Sequence, residues 1–191
     1  MHRRYVNLVL LLFCVFSCEK TKDPFTVLVV EKSTLIRDLP TGIMFYNNLP
    51  FTGKAQRFYR TGFLAEETIY VNGIKHGLML KWFPEGNQSF SGNYQNGQRD
   101  GKVKSWWSNG QLRTFAIYEK GVANGTQKEW YKSGQLFKKY TLVKGQEEGL
   151  QQAWRENGQL YNNYVAKAGK IYGLKRSNLC FKLQNEQIIA H

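Results

Sequence analysis

The sequence predicts an all-β protein: an elongated, twisted antiparallel meander of tandem 24-residue β-hairpin repeats in a single-layer sheet. Three observations predict it. Glycines recur on a strict lattice, paired aromatic residues stand between them at a fixed offset, and a tyrosine recurs near the end of each interval. Glycine is 18 of 191 residues, proline only 4, and aromatics make up 15%. Abundant glycine and aromatics with little proline read as strands joined by tight turns. That aromatic share is also too high for a chain without a buried core.

The lattice comes first. Gly53, Gly77, Gly101, Gly125, Gly149 and Gly173 are spaced 24 residues apart. Gly62, Gly86, Gly110, Gly134 and Gly158 follow the first five by nine residues. Gly73, Gly97, Gly121, Gly145 and Gly169 follow them by twenty. Of the 18 glycines, only Gly42 and Gly92 lie off the lattice. A fixed period of this length is the signature of a tandem array. Its five units are 53–76, 77–100, 101–124, 125–148 and 149–172.

Other columns follow the same period. Five residues into each unit stand Phe58, Trp82, Trp106, Trp130 and Trp154. Beside them are Tyr59, Phe83, Trp107, Tyr131 and then Arg155, where the column breaks. Leu64, Leu112, Leu136 and Leu160 stand two residues past the middle glycine, with Gln88 the exception. The tyrosines are Tyr70, Tyr94 and Tyr118, displaced by two positions to Tyr140 and Tyr164. A shift of two keeps a strand side chain on the same face.

Each unit reads as a hairpin, with a first strand near 102–107, a turn at 108–110 and a second strand near 112–119 in the third unit. Asn109-Gly110 and Asn157-Gly158 predict type I′ turns, which need positive φ at both central residues. A two-residue loop there sets Trp107 opposite Leu112 and Tyr131 opposite Leu136. It also sets Trp106 opposite Arg113 and Trp130 opposite Phe137. The links between units, such as "NGIKHG", "NGQRDG" and "KGQEEG", also need positive φ at their ends. Helix is disfavoured, because each interior glycine would cost about 1 kcal/mol.

One hairpin alone is not stable in water. Stacked in series, these hairpins form ten strands, about 48 Å long at about 4.8 Å per strand, with nearest-neighbour energetics. Residues 41–52 read as a capping half-repeat and 173–191 as a C-terminal cap, formed by a closing strand or short helix.

The first 17 residues read as a signal peptide. Two arginines precede an apolar run from Leu8 to Phe16. That run is too short to span a bilayer, which takes about 20 residues, but it suits a signal-peptide core. Val15-Phe16-Ser17-Cys18 resembles a bacterial lipobox. The resemblance implies cleavage before Cys18 and a diacylglyceryl thioether on its sulfur, and acyl chains in this number hold a protein on a membrane. Residues 18–40 then form a lipid-anchored tether and N-terminal segment. The expected location is the cell envelope, on its periplasmic or surface face, and the outer membrane in a Gram-negative cell. Cys14 leaves with the leader and Cys18 carries lipid. Cys180 then stands alone, so no internal disulfide forms.

Charge concentrates in the array. Residues 53–177 carry 20 basic and 9 acidic side chains, a net of +11. The remainder of the mature chain is neutral.

The stretches "YVNGIKHGLMLKWFPEG", "YQNGQRDGKVKSWWSNGQL" and "PFTGKAQRFYRTG" resemble the MORN-repeat variant family, the group often labelled YwqK-type antitoxin components. The resemblance covers residues 41 to about 177. It implies a non-catalytic array of β-hairpins of the kind found in bacterial envelope proteins and scaffolds. The later units depart from the pattern, with Leu142 and Ala166 in place of the tyrosine and Arg155 in place of the second aromatic.

The catalytic inventory is sparse, and no enzyme, cofactor or metal site is expected. His76 is the one histidine inside the array and reads as a solvated turn residue; His2 and His191 lie at the ends. Glu66-Glu67 and Glu147-Glu148 read as surface charge. No metal spacing, phosphate loop or dinucleotide fingerprint is present.

The aromatic columns admit two readings. They are the core of a thin sheet, or one face presents them to a ligand. The candidate binding face is Trp82, Trp106, Trp130 and Trp154 with Lys102, Lys104 and Lys128. The expected function is a non-catalytic, lipid-anchored protein–protein interaction module, with an envelope protein as partner. One alternative is a basic binder of anionic envelope polymer or membrane surface. Another, from the family label, is a toxin-neutralising or immunity-like protein. Nucleic acid is not an expected partner for an exported protein. The free ends of a meander offer edge-to-edge self-association.

Overall fold

A computed structural model of the chain describes residues 27–174. The leader, Cys18, Cys180 and nearly all of the C-terminal cap lie outside the described residues. The described chain opens with β1 (Val29–Glu31), a 3-10 turn (Lys32–Thr34), β2 (Ile36–Arg37), β3 (Met44–Tyr46) and β4 (Leu49–Pro50). The array follows with β5 (Gly53–Phe58), β6 (Leu64–Val71), β7 (Ile74–Trp82), β8 (Gln88–Gln95), β9 (Gln98–Trp106) and β10 (Leu112–Glu119). It continues through β11 (Val122–Ala123), β12 (Gly125–Trp130), β13 (Leu136–Val143), β14 (Gln146–Glu147), β15 (Gly149–Trp154) and β16 (Leu160–Lys167), and reaches β17 (Lys170–Leu174).

The protein is all-β, a long meander of antiparallel hairpins. The main sheet runs β1-β5-β6-β7-β8-β9-β10-β12-β13-β15-β16-β17, with β11 beside β10 and β14 beside β13. A small second sheet holds β2-β3-β4. One pairing departs from the meander: β1 lies parallel to β5, with Val30 opposite Ala55. A parallel pair needs a crossover of a dozen or more residues, and the small sheet supplies it.

The two rims of the sheet use different turns. Between units the turns are tight two-residue loops with positive φ at both centres, as at Asn96 (49°) and Gly97 (80°). Between the two strands of a unit the tip is wider than the Asn-Gly signal predicts. Gly110 N–H donates to Trp107 O at 2.9 Å, and Trp107 N–H donates to Gln111 O at 2.8 Å. Gly110 has positive φ but Asn109 does not. The second strand therefore gains a bulge, and Leu112 pairs with Trp106 instead of Trp107. Likewise Leu136 pairs with Trp130 instead of Tyr131. Away from the tip the expected register holds, with Lys104 opposite Phe115 and Lys128 opposite Lys139.

The residues before the tip glycine explain the wider turn. In other units they are Thr61, Glu85 and Ser133. Positive φ is uncommon for side chains such as these and an outlier for β-branched Thr. One tip geometry therefore serves every unit.

The lattice glycines at unit starts are not turn residues. Gly77 lies inside β7 and Gly101 inside β9, both with positive φ. The β6–β7 and β8–β9 ladders shift register beside them. They are bulge residues, and bulges increase strand twist. His76 accordingly sits inside β7, next to this bulge, and is exposed.

The best-buried column is not aromatic. Ala55, Met79, Val103, Gln127 and Gln151 occupy one lattice position and are all buried. The first three are apolar; the last two complete the ladder with their amides. Gln127 Oε1 accepts from Ile117 N–H and its Nε2 donates to Ile117 O, both at 3.2 Å. Gln151 does the same to Thr141, at 3.2 and 2.9 Å. Buried polar groups require partners of this kind. At the N-terminal end Phe51 packs with Val30, Leu35, Ala55 and Tyr70 and closes the stack.

Candidate functional site

Strand alternation assigns the side chains to two faces. One face carries the buried column, with Tyr70, Tyr94, Tyr118, Tyr140 and Tyr164. The other carries the tryptophans. In β9 the residues Lys102, Lys104 and Trp106 alternate onto this second face, and in β12 Lys128 and Trp130 do the same. Trp82 and Trp154 occupy the equivalent ends of β7 and β15. All seven candidate residues therefore share one face.

Three rows run along that face. Nearest the tips, Trp106 pairs with Leu112, Trp130 with Leu136, Trp154 with Leu160, and Trp82 with Gln88. In the middle, Lys104, Phe115, Lys128 and Lys139 are successive cross-strand neighbours. Ile117 lies beside Lys102 in the third row. The four tryptophans are half-buried. They are therefore neither a sealed core nor freely exposed, which places them between the two readings of the aromatic columns.

The neighbouring column fixes the tryptophan backbones. Tyr59 Oη donates to Trp82 O at 2.7 Å, and Tyr131 Oη donates to Trp154 O at 3.0 Å. Trp107 Nε1 donates to Trp130 O at 3.1 Å. Three of the four second aromatics thus lock the tryptophan of the next unit. Phe83 lacks a donor, so the ladder skips Trp106. The Arg113 guanidinium stacks over the Trp107 ring, 4.5 Å from its centre.

Sequence reasoning misses Phe115, and it interleaves Lys139, with Lys138 and Arg155, among the aromatic columns without placing it on the candidate face. Alternation counted across the tip would have placed Phe115 and Lys139 there, because the central register was legible. Lys138, next in sequence, falls on the opposite face and pairs with Ala153 there.

On the tryptophan face Lys54 pairs with Glu67 at 3.0 Å in the first unit, but the described lysines of the later units are not so paired. None of Lys102, Lys104, Lys128 and Lys139 lies within ion-pair distance of a carboxylate among the described residues. On the tyrosine face Glu66 departs from the expected surface charge. It is buried and ion-paired with Lys32, with Lys81 at 3.8 Å and Arg57 at 3.9 Å. Burial pushes its carboxyl up, but the Lys32 and Lys81 ammonium groups and the Thr68 hydroxyl outweigh it, and its pKa ends below the ordinary 4.5. Tyr140 donates to Glu129 and Tyr164 to Glu147, at 3.2 and 2.9 Å. Burial and these carboxylates raise both phenols to about 12, so both stay protonated. Among the described residues no three His, Cys, Asp or Glu side chains gather to hold a metal, and no helix is long and apolar enough to cross a membrane.

The family model described as MORN repeat variant matches residues 99–114 and 123–144. This chain carries a MORN repeat variant across its centre. The matched MORN residues span β9, β10, β12 and β13, which hold Trp106, Trp130 and the lysines. No curated protein matches the chain.

Proposed function

We propose that the protein is a non-catalytic, lipid-anchored interaction module of the bacterial cell envelope, which binds a protein partner on its tryptophan face. The observation that carries this reading is the shared face: four half-buried tryptophans, flanking leucines and unpaired lysines in parallel rows. Aromatic anchors surrounded by polar contacts are the usual energetic centres of protein interfaces. The partner that fits is apolar along one line and acidic beside it. MORN repeats themselves suggest a repeat-based interaction role, and the lipobox-like Val15–Cys18 supports the anchor.

The test is affinity capture from solubilised envelope on immobilised residues 19–191. Trp106→Ala with Trp130→Ala should lower retention of a specific protein by about 10-fold or more, while Tyr118→Phe on the opposite face should not. Equal retention by the tryptophan variant would refute the face. For the anchor, Cys18→Ala should move the protein from the membrane to the soluble fraction.

A second reading is favoured by the unpaired lysines: binding of an anionic envelope polymer. Exposed charge contacts are screened by salt. Retention of polymer alone, lost between low and high salt and lost with Lys102, Lys104 and Lys128 changed to Gln, would select this reading.

A further inference from the structure

A cleft lies away from the tryptophan face, where the N-terminal segment meets the first two units. Its volume is about 620 Å³. Lys32, Arg37 and Lys75 line it, with Tyr70, Thr41, Met44 and Gln98 among the other walls, and no carboxylate does. We propose that this cleft binds a phosphate monoester, with the phosphate between Arg37 and Lys75.

Charge bookkeeping points to an anion. The nearby Glu66 is already shared by Lys32, Lys81 and Arg57. Arg37 and Lys75 have no carboxylate within 4.0 Å among the described residues. Lys75 instead lies over the Tyr94 ring, 5.3 Å from its centre, which leaves its ammonium protons available. Gly42, at φ +72°, leaves open the space beside the Arg37 guanidinium; a Cβ there would stand 3.6 Å from Nη2.

Donor geometry favours phosphate over carboxylate. A guanidinium fork occupies two oxygens of an oxyanion, and a lysine contributes as a point charge. The fork and the point charge together reach three oxygens, which a phosphate offers and a carboxylate does not. The cleft exceeds the size of a lone phosphate, and Met44 and Ile74 give the ester's carbon body an apolar wall. None of these groups belongs to the tryptophan face, so failure here would leave the proposed function untouched.

The test uses the mature chain with glycerol 3-phosphate at constant ionic strength, read by calorimetry and by backbone amide shifts. Saturable binding is expected, with shifts centred on Gly42, Gly73 and Gly97. Arg37→Gln and Lys75→Gln should each weaken binding by about 10-fold. Lys120→Gln with Lys144→Gln, which lowers net charge at remote turns, should leave affinity within about 2-fold. Vesicles of phosphatidylcholine with phosphatidic acid form a second arm. Binding to glycerol 3-phosphate identifies a soluble ester as sufficient, and binding to the vesicles alone identifies a lipid headgroup. Absence of saturable binding in both arms overturns the proposal. So does an equal loss in the remote-turn variant, or a shift pattern centred elsewhere. The amide shifts are read on the unaltered chain, so the test survives a variant that misfolds.

Discussion

Glu66 concentrates the electrostatics of the first unit in one side chain. Its side chain is 4% exposed, yet it faces three cations that reach it from β5, β7 and the 3-10 turn. Removing one partner of a buried pair costs roughly 3–5 kcal/mol. Here the cations keep contact with water, so Glu66→Gln is expected to cost about 2 kcal/mol. The pH dependence has a definite sign. The folded carboxyl sits below the ordinary 4.5, so its contribution is complete above that value and fades as pH falls through the folded pKa. The wild type and Glu66→Gln should therefore differ most at neutral pH and converge below pH 4.5. Urea midpoints measured from pH 7 to pH 3 check this. A gap that stays constant with pH would show that Glu66 acts through packing and not through its charge.

At the scale of strands and turns, glycine acts in two ways that substitution separates. Gly73 and Gly110 both have positive φ, at 76° and 84°. An added Cβ at Gly110 meets nothing within 4 Å, whereas at Gly73 it would lie 2.4 Å from Ile43 Cγ2 and 2.6 Å from Met44 O. Gly110→Ala should cost about 1–2 kcal/mol for left-handed backbone alone. Gly73→Ala should cost about 1–3 kcal/mol more through overpacking, because Met44 O is backbone and cannot rotate away. Equal losses in thermal unfolding would contradict this division. The same contrast explains what was readable beforehand. The lattice gave away hairpins, period and face, because glycine and tryptophan are chemically conspicuous. The buried column did not show, since Ala55, Met79, Val103, Gln127 and Gln151 share a position but no chemistry. The tip departs from the type I′ expectation because Asn-Gly occurs in only some units, while Thr61 and Ser133 hold the same place in others. The parallel β1 was hidden too, being a three-residue strand that joins the sheet only through the crossover at residues 32–52.

At the scale of the array, among the described residues, each unit hydrogen-bonds to its neighbours, and the bonds between units repeat along both rims. Gly97 N–H donates to Lys75 O, Gly121 N–H to Arg99 O and Gly145 N–H to Ala123 O, each across 22 residues. At the tips Asn87 reaches Ser108 O and Asn109 reaches Lys132 O. The acceptors of these rim bonds are backbone carbonyls, which any residue supplies, although side chains also join units, as at Arg99–Tyr118 and Tyr164–Glu147. Deleting residues 101–124 should therefore leave a folded array, with Asp100 joined to Gly125 at the correct phase of the repeat. Asn87 would then face Lys132 O in place of Ser108 O. The shortened chain should keep its β-sheet circular dichroism per residue and lose about 10 Å of its longest dimension by X-ray scattering, the width of two strands. Its stability should fall by roughly one interface and one unit term, as in other linear arrays. The deletion also removes Trp106, Lys102 and Lys104, so a partner that spans the tryptophan face should bind more weakly to a chain that is still folded. Loss of the fold would show instead that the units are coupled beyond their neighbours. Full retention of binding would confine the partner to Trp82 on one side, or to Trp130 and Trp154 on the other.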